Sequence, residues 1–475
     1  MDSFRSQAHR VADWISDYLR DIETYRVQPT VEPGAIRDQI PAAPPVAGTS
    51  FDNLMGDFER IVVPGLTHWG HPGFYGYFPA NTSPPSILAE MLVAGLGVQC
   101  MSWSTSPAAT ELEQAMMDWL RQMIGLPEDF TGVIQDTAST ATLVALITAR
   151  DRRMAGFGEY FAAPLDRLVV YTSEEANSSV PKGARLAGYH PDRIRLIETD
   201  EDAALSVPAL RRAIEQDRAS GLVPAAVVAT VGTTGSTAID PVPALAEVCQ
   251  SEGMWLHVDA AFAGSAAVLP EMRWILAGTE RADSLVFNPH KWLLVNFDCS
   301  AYFVRDRAAL LRSFSASAEI LKSGQDDRVA NFRDWGIQLG RRFRALKLWF
   351  VIRSYGVEGL QAMLREHIRL GRRFAEWVDQ DPGFERIGPA DLATVCFRLA
   401  APAGGEAVAN DPAQLDRLNR ELLARINASG RVFLTGTRLK GRFVLRMSLG
   451  HLASTEEHLS QAWALIRQSA GTGAG

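Results

Sequence analysis

Phe4, Ala8, Val11, Trp14 (or Ile15), Tyr18 and Ile22 recur at helical spacing, so the chain opens on an amphipathic helix. Its apolar face needs a partner, within the chain or on a second subunit. Pro29, Pro33, Pro41, Pro44 and Pro45 then predict an extended arm. Leu112, Met116, Leu120 and Met123 share one face of a helix over 111–124, with Gly125 just past its end. A second helix is predicted over 140–150. Short β-branched runs at 168–171, 194–197, 226–231, 255–258 and 284–287 follow, with helical patterns at 207–219 and 243–251 between them. Apolar runs bounded by helices predict parallel strands buried on both faces. A long helical pattern over 341–355 leads into a tail with strands at 394–399 and 442–448, which predicts a smaller α+β domain.

At 475 residues the chain is too long for one ordinary domain. Apolar residues make up 47% and charged residues 21%, a globular composition. A net charge of −8 and a pI near 5.7 leave no basic footprint for nucleic acid. Cys100, Cys249, Cys299 and Cys396 are widely spaced and form no C-x-x-C, which fits a reducing, cytoplasmic setting. The first residues carry Asp2, Arg5, Arg10, Asp13 and Asp17 and do not read as a signal peptide. No uncharged apolar stretch is long enough to span a membrane. His68, His71 and His257 lack the spacing of a zinc site, and no metal is expected.

Ligands of an α/β sheet sit at the carboxyl ends of its strands. Three predicted ends here carry polar groups: Asp259, the run Asn288-Pro289-His290-Lys291, and Gly232-Thr233-Thr234. An aspartate and a lysine on separate strand ends suit pyridoxal phosphate. The lysine amine condenses with the aldehyde, and the carboxylate keeps the pyridine nitrogen protonated. Thr137-Ala138-Ser139-Thr140 opens a helix and offers hydroxyls and free N–H groups to a phosphate. Taken singly, Asp259 also reads as a strand-end cap, the Thr/Ser cluster as an N-cap and Lys291 as a surface lysine. The specificity lies in their order and setting.

Phe287-Asn288-Pro289-His290-Lys291-Trp292-Leu293, preceded by His257-Val258-Asp259-Ala260-Ala261, resembles the aromatic-L-amino-acid decarboxylase family. The likeness runs through Thr67-His68-Trp69, Tyr75-Gly76-Tyr77-Phe78-Pro79, Ser106-Pro107-Ala108, Gly132-Val133-Ile134-Gln135, Asn296-Phe297-Asp298-Cys299-Ser300 and Gly340-Arg341-Arg342-Phe343-Arg344. It implies an α/β fold of aspartate-aminotransferase type, with a mostly parallel seven-stranded sheet flanked by helices. The implied division is a dimerisation segment at 1–83, a large cofactor domain at 84–350 and a small α+β domain at 351–475. The resemblance makes Lys291 the Schiff-base lysine and Asp259 the partner of the pyridine nitrogen. It sets Ala261 against the ring, Ala138, Ser139 and Asn288 around the phosphate, and Thr234 and His290 along the site. Trp69, Tyr77, Phe78 and Pro79 resemble the substrate pocket, and Ala80 stands where the family has a threonine. Gln99 and Met101 fall where the family reaches into the site of a second subunit, and Gly340 leaves room for a large ring. A homodimer with a shared active site is implied.

Two departures bear on the product. Asn177, in Glu174-Glu175-Ala176-Asn177-Ser178-Ser179, replaces the family's ring-stacking histidine and cannot stack as an aromatic ring or carry a proton at neutral pH. Ile320, in Glu319-Ile320-Leu321-Lys322, stands where the family has the tyrosine that returns a proton to Cα. Family members altered at these positions include aldehyde synthases. The expected outcome is decarboxylation coupled to oxidative deamination, with molecular oxygen as co-substrate. The alternatives are a plain decarboxylase releasing the arylalkylamine, with Lys322, His290 or a water as proton donor, and a catalytically silent scaffold of the same fold.

Overall fold

The computed structural model describes residues 2–155, 163–315, 328–400 and 411–471. Its centre is a seven-stranded sheet of β1 (Thr131–Gln135), β2 (Leu168–Ser173), β3 (Ile194–Ile197), β4 (Val223–Thr230), β5 (Trp255–Asp259), β6 (Ser284–Phe287) and β7 (Ser300–Val304), in the order β1-β7-β6-β5-β4-β2-β3. β7 runs antiparallel to both β1 and β6, and the remaining pairs are parallel. Every strand except β7 therefore points the same way. The carboxyl ends of β1, β2, β4, β5 and β6 share one edge.

Burial explains the near-continuous apolar runs. Every residue of β2, β5, β6 and β7 is buried, whereas only Ile197 is buried in the edge strand β3. Helix Ala138–Ala155 crosses β4, β5 and β6. Its inner face carries Ala138, Ala141, Ala145 and Ala149, all buried, so the helix rides close to the sheet. Helix Pro107–Ile124 stops at Gly125, whose φ of 73° lets its N–H reach the Arg121 and Gln122 carbonyls.

The smaller sheet joins β8 (Phe384–Arg386), β9 (Thr394–Leu399), β10 (Thr435–Leu439) and β11 (Arg442–Ser448), all antiparallel, in the order β10-β11-β9-β8. Its core is aromatic: Phe374, Phe384, Phe397 and Trp463 meet at 4.9–6.5 Å between ring centres. Helix Arg344–Gln380 leads into it, broken where Gly356 takes a φ of 65°. The helical pattern predicts a start at Arg341, but the helix begins at Arg344. Arg341 is instead buried against Glu113, with NH2 2.6 Å from Oε1 and NH1 3.0 Å from Oε2, and also donates to the Ile134 carbonyl. A buried charge needs such partners, and they override helix propensity.

The first helix spans Asp2–Arg20. Trp14 stacks on Tyr18 at 5.3 Å and meets the edge of Phe58 at 4.9 Å. None of its described side chains is buried, and Phe4 is 70% exposed, so the chain itself covers only part of the apolar face. Among the described residues no helix is long and apolar enough to cross a membrane.

Candidate active site

A cavity of about 200 Å³ opens at the shared carboxyl edge and is lined by residues that follow β1, β2, β4, β5 and β6. β5 delivers Asp259 to it. One carboxylate oxygen accepts the Ala261 N–H at 3.0 Å, which leaves the other for a second donor. After β6 the one-turn helix Pro289–Trp292 presents His290 and Lys291, with Pro289 pre-set for the first helical position. Burial pushes the Asp259 carboxyl up, and the Lys291 ammonium works against that shift. Burial pulls Lys291 down to about 8, with Asp259 opposing and Arg446 assisting. The lysine thus keeps a useful fraction of neutral amine near neutral pH.

Helix Ala138–Ala155 aims its N-terminus at the same cavity, with the Thr140 N–H on Thr137 Oγ1 at 3.3 Å. The Asn288 side-chain oxygen accepts the Ser300 hydroxyl at 2.7 Å, leaving the amide NH2 as donor. Asn177 is tethered at both ends: Nδ2 donates to Thr234 Oγ1 at 3.0 Å, and Oδ1 accepts the Ser179 N–H at 2.9 Å. His290 Nδ1 accepts the Cys299 N–H at 2.9 Å, and burial holds the ring down to about 3. It is therefore neutral, with its proton on Nε2. The Phe297 ring lies 4.7 Å away. Phe78, Phe262 and Trp292 form a continuous stack, at 4.0 and 4.4 Å, that walls one side of the site.

Ala138, Ser139, Asn177, Thr234, Asp259, Ala261, Asn288, His290, Lys291 and Phe78 all line this cavity. Trp69 and Tyr77 do not: they stack on each other at 5.4 Å, 39% and 53% exposed. Pro79 is buried, and a Cβ on Gly450 would stand 2.6 Å from its Cγ; the neighbouring Ala80 also lies outside the cavity lining. Gln99 and Gly340 meet each other instead, with Gln99 Oε1 accepting the Arg341 N–H at 2.9 Å and Nε2 3.2 Å from where a Gly340 Cβ would stand. The Met101 carbonyl accepts the Arg333 N–H at 2.8 Å. Ile320 lies outside the described residues.

Sequence reasoning missed Thr230, Phe262, Phe297 and Arg446. The first three follow or end strands already flagged for polar ends, or sit in a quoted motif. Arg446 comes from β11 of the other sheet. It is buried, its Nε donates to the Gly235 carbonyl at 3.2 Å and NH1 donates to the Tyr77 carbonyl. Its guanidinium sits 4.5 Å above the Phe78 ring, while Lys291 Nζ sits 5.0 Å from the same ring. NH2 has no partner among the described residues. Burial pulls this group down to about 10, which still leaves it charged at neutral pH. The only signal was a lone arginine in the apolar run Val444-Leu445-Arg446-Met447.

His68, His71 and His257 are accounted for by ordinary partners: Tyr18 Oη, the Gly73 N–H, and Thr142 with Ser284. Among the described residues no cluster of His, Cys, Asp and Glu is placed to hold a metal.

The donor set fits pyridoxal 5'-phosphate. Asp259 has a free oxygen for a pyridinium, Lys291 an amine for the aldehyde, and the helix N-terminus N–H groups for the phosphate. The buried Thr230 hydroxyl, which lines the cavity, has no partner among the described residues. Fold and site together define a pyridoxal-phosphate enzyme of fold type I. Residues 33–400 match the profile of the pyridoxal-dependent decarboxylase conserved domain. The chain is 42% identical to phenylacetaldehyde synthase of Arabidopsis thaliana, covering 99% of this chain and 96% of that one. It is 43% identical to the aromatic-L-amino-acid decarboxylase of Cavia porcellus, covering 98% and 97%. The crystal structure of Oryza sativa TDC with PLP and tryptamine superposes with a TM-score of 0.95 at 40% identity, covering 99% and 98%. The chain belongs to the pyridoxal-dependent decarboxylase family, and it is an enzyme of the aromatic amino-acid decarboxylase type.

Proposed function

We propose that this enzyme decarboxylates an aromatic L-amino acid and couples that step to oxidative deamination. Amino acid, oxygen and water become an arylacetaldehyde, carbon dioxide, ammonia and hydrogen peroxide. Bound pyridoxal phosphate supplies the electron sink for the bonding pair that carbon dioxide leaves behind. Lys291, whose amine is partly neutral near neutral pH, would hold the cofactor through its aldehyde carbon. Asp259, buried with one carboxylate oxygen uncommitted, would pair with the pyridine nitrogen and favour its protonated form. The unpartnered NH2 of Arg446 offers the substrate carboxylate an anchor beside Phe78 and Lys291.

The observation that carries this reading is Asn177. Its amide lines the cavity with both ends tethered, and it has no ring to stack and no proton to give at neutral pH. Ile320 adds to it from sequence. Without a prompt proton at Cα, the electron pair stays available to dissolved oxygen. The test is product analysis with tryptophan, phenylalanine, tyrosine and dopa, in air and under argon. Aldehyde and peroxide should form in step with carbon dioxide in air. Stoichiometric amine without peroxide overturns the reading.

One observation favours the plain decarboxylase: neutral His290 keeps a proton on Nε2 within the same cavity, where it could serve Cα. The argon arm, with amine yield as its readout, separates the two.

The substrate side of the site is completed by a second copy of the chain. Support comes from Gln99, Met101 and Gly340, which lie outside the cavity of their own chain. Helix Pro84–Leu96 also exposes a stripe of Leu88, Met91, Leu92 and Leu96.

A further inference from the structure

Two consecutive residues at the active site are tied to two consecutive residues of the loop after β11, each through one buried side chain. Asn81 Nδ2 donates to the Lys291 carbonyl at 2.9 Å and to the Gly450 carbonyl at 2.5 Å. The Trp292 indole N–H donates to His367 Nδ1 at 3.0 Å, and His367 Nε2 donates to the His451 carbonyl at 3.0 Å. Asn81 and His367 are both only 2% exposed. The result is a closed buckle of four chain segments: the stretch before helix Pro84–Leu96, the lysine turn, helix Arg344–Gln380 and the loop at 449–454.

The buckle is specific in its chemistry. His367 must accept on Nδ1 and donate on Nε2, which only one neutral tautomer does. Burial holds it down to about 4, so that tautomer persists at neutral pH. Gly450 is pressed into the same place: a Cβ there would stand 2.6 Å from Pro79 Cγ and 3.4 Å from Trp292 Cδ1. Pro79 follows Phe78, the ring over which Lys291 Nζ lies, and Trp292 is the far end of the ring stack. Small-domain loop, ring wall and lysine backbone are therefore one hydrogen-bonded unit.

We infer that His367 and Asn81 are positioning residues for the reaction, setting the backbone of Lys291 and the Phe78 wall from the small-domain loop. This rests on Lys291 being the cofactor lysine. Neither residue touches the cavity, so their effect is on where the amine and the wall stand.

The test uses the holoenzyme and five variants. Lys291→Ala checks the underlying reading: it should lose the visible band that borohydride bleaches in wild type. If it keeps that band, the lysine assignment fails, and the buckle with it. Given that band, His367→Leu should lower kcat by about tenfold with KM changed less than about threefold, and should shift the band. His367→Asn, whose Oδ1 can take the Trp292 proton, should recover most of the loss. Asn81→Ala should behave like His367→Leu. The double variant should fall well short of the product of the two losses, as expected for one shared unit. A merely structural histidine would give a different pattern: a lowered melting temperature in His367→Leu, with the band unmoved and kcat within about twofold of wild type. That result overturns the inference, as does full multiplicativity of the two losses.

Discussion

Asp259 and Lys291 each carry a charge that burial disfavours, and each makes the other's charge easier to keep. Removing the carboxylate therefore moves the lysine further down from about 8, because the partner that raised it is gone. In Asp259→Asn the pH midpoint for the reaction of apoprotein with pyridoxal phosphate should shift to lower pH, read from the visible band. The same variant should lose kcat by about 100-fold or more, since a neutral amide cannot hold the pyridine nitrogen protonated.

Arg446→Met should separate the amino acid from its decarboxylated amine. The amino acid carries a carboxylate for the free NH2, and the arylalkylamine does not. Affinity for the amino acid should fall about tenfold or more, while affinity for the amine changes less than about threefold. Equal losses for both ligands would make Arg446 a packing residue only.

The product outcome should respond to the two departing positions. Asn177→His with Ile320→Tyr should cut the peroxide formed per carbon dioxide and raise the amine in proportion. A peroxide electrode and amine chromatography on the same reaction check this. An unchanged ratio in the double variant removes both residues from the explanation.

Sharing of the site is testable by mixing defects. Chains carrying Lys291→Ala and chains carrying Met101→Arg should each be inactive alone. Co-expressed, they should recover activity, because one hybrid site has a good lysine and a good partner loop. No recovery from purified hybrids would place Met101 outside the partner's site.

Acid stability follows from the buried histidines. His257 and His290 are held down to about 3, and His367 and His451 to about 4, mainly by burial. They stay neutral in the folded chain but take up protons on unfolding below their ordinary value of about 6.5. Stability is therefore fully present above that pH and falls as pH drops toward 4. Each histidine adds a slope of roughly 1 kcal/mol per pH unit. Denaturant titrations at pH 7.5, 6 and 5 should show the fall, and His257→Asn should make it shallower.

Lysine and aspartate were legible because each stands where an apolar run stops, and such run ends are confined to one edge by a parallel sheet. Gly125 announced its helix end for an equally local reason, a left-handed residue after the last turn. β1 and β7 were not announced as strands: 132–135 and Ser300 belong to motifs that read as site rather than sheet. Arg341 was misread as helix because its partner, Glu113, lies far away in sequence and only folding brings them together. Arg446 was missed for the same reason, since it comes to the Phe78 ring beside the cavity from a different sheet. Asn81 and His367 look like any polar residue in a helical or turn context, and nothing in their local pattern points to Lys291. Gln99, Met101 and Gly340 were singled out only through family resemblance, and within one chain they stand outside the cavity.

The alanine face of helix Ala138–Ala155 has a consequence for how this sequence can vary. Ser139 sits on the first turn of that helix, so its height above the sheet is fixed by the girth of Ala141, Ala145 and Ala149 below. Exchange of one of these methyls for a valine leaves polarity intact and costs only a fraction of a kcal/mol in helix propensity, yet its added bulk lifts the helix end that carries Ser139 into the cavity. Mutational tolerance along this face should follow side-chain volume, and hydrophobicity should matter little.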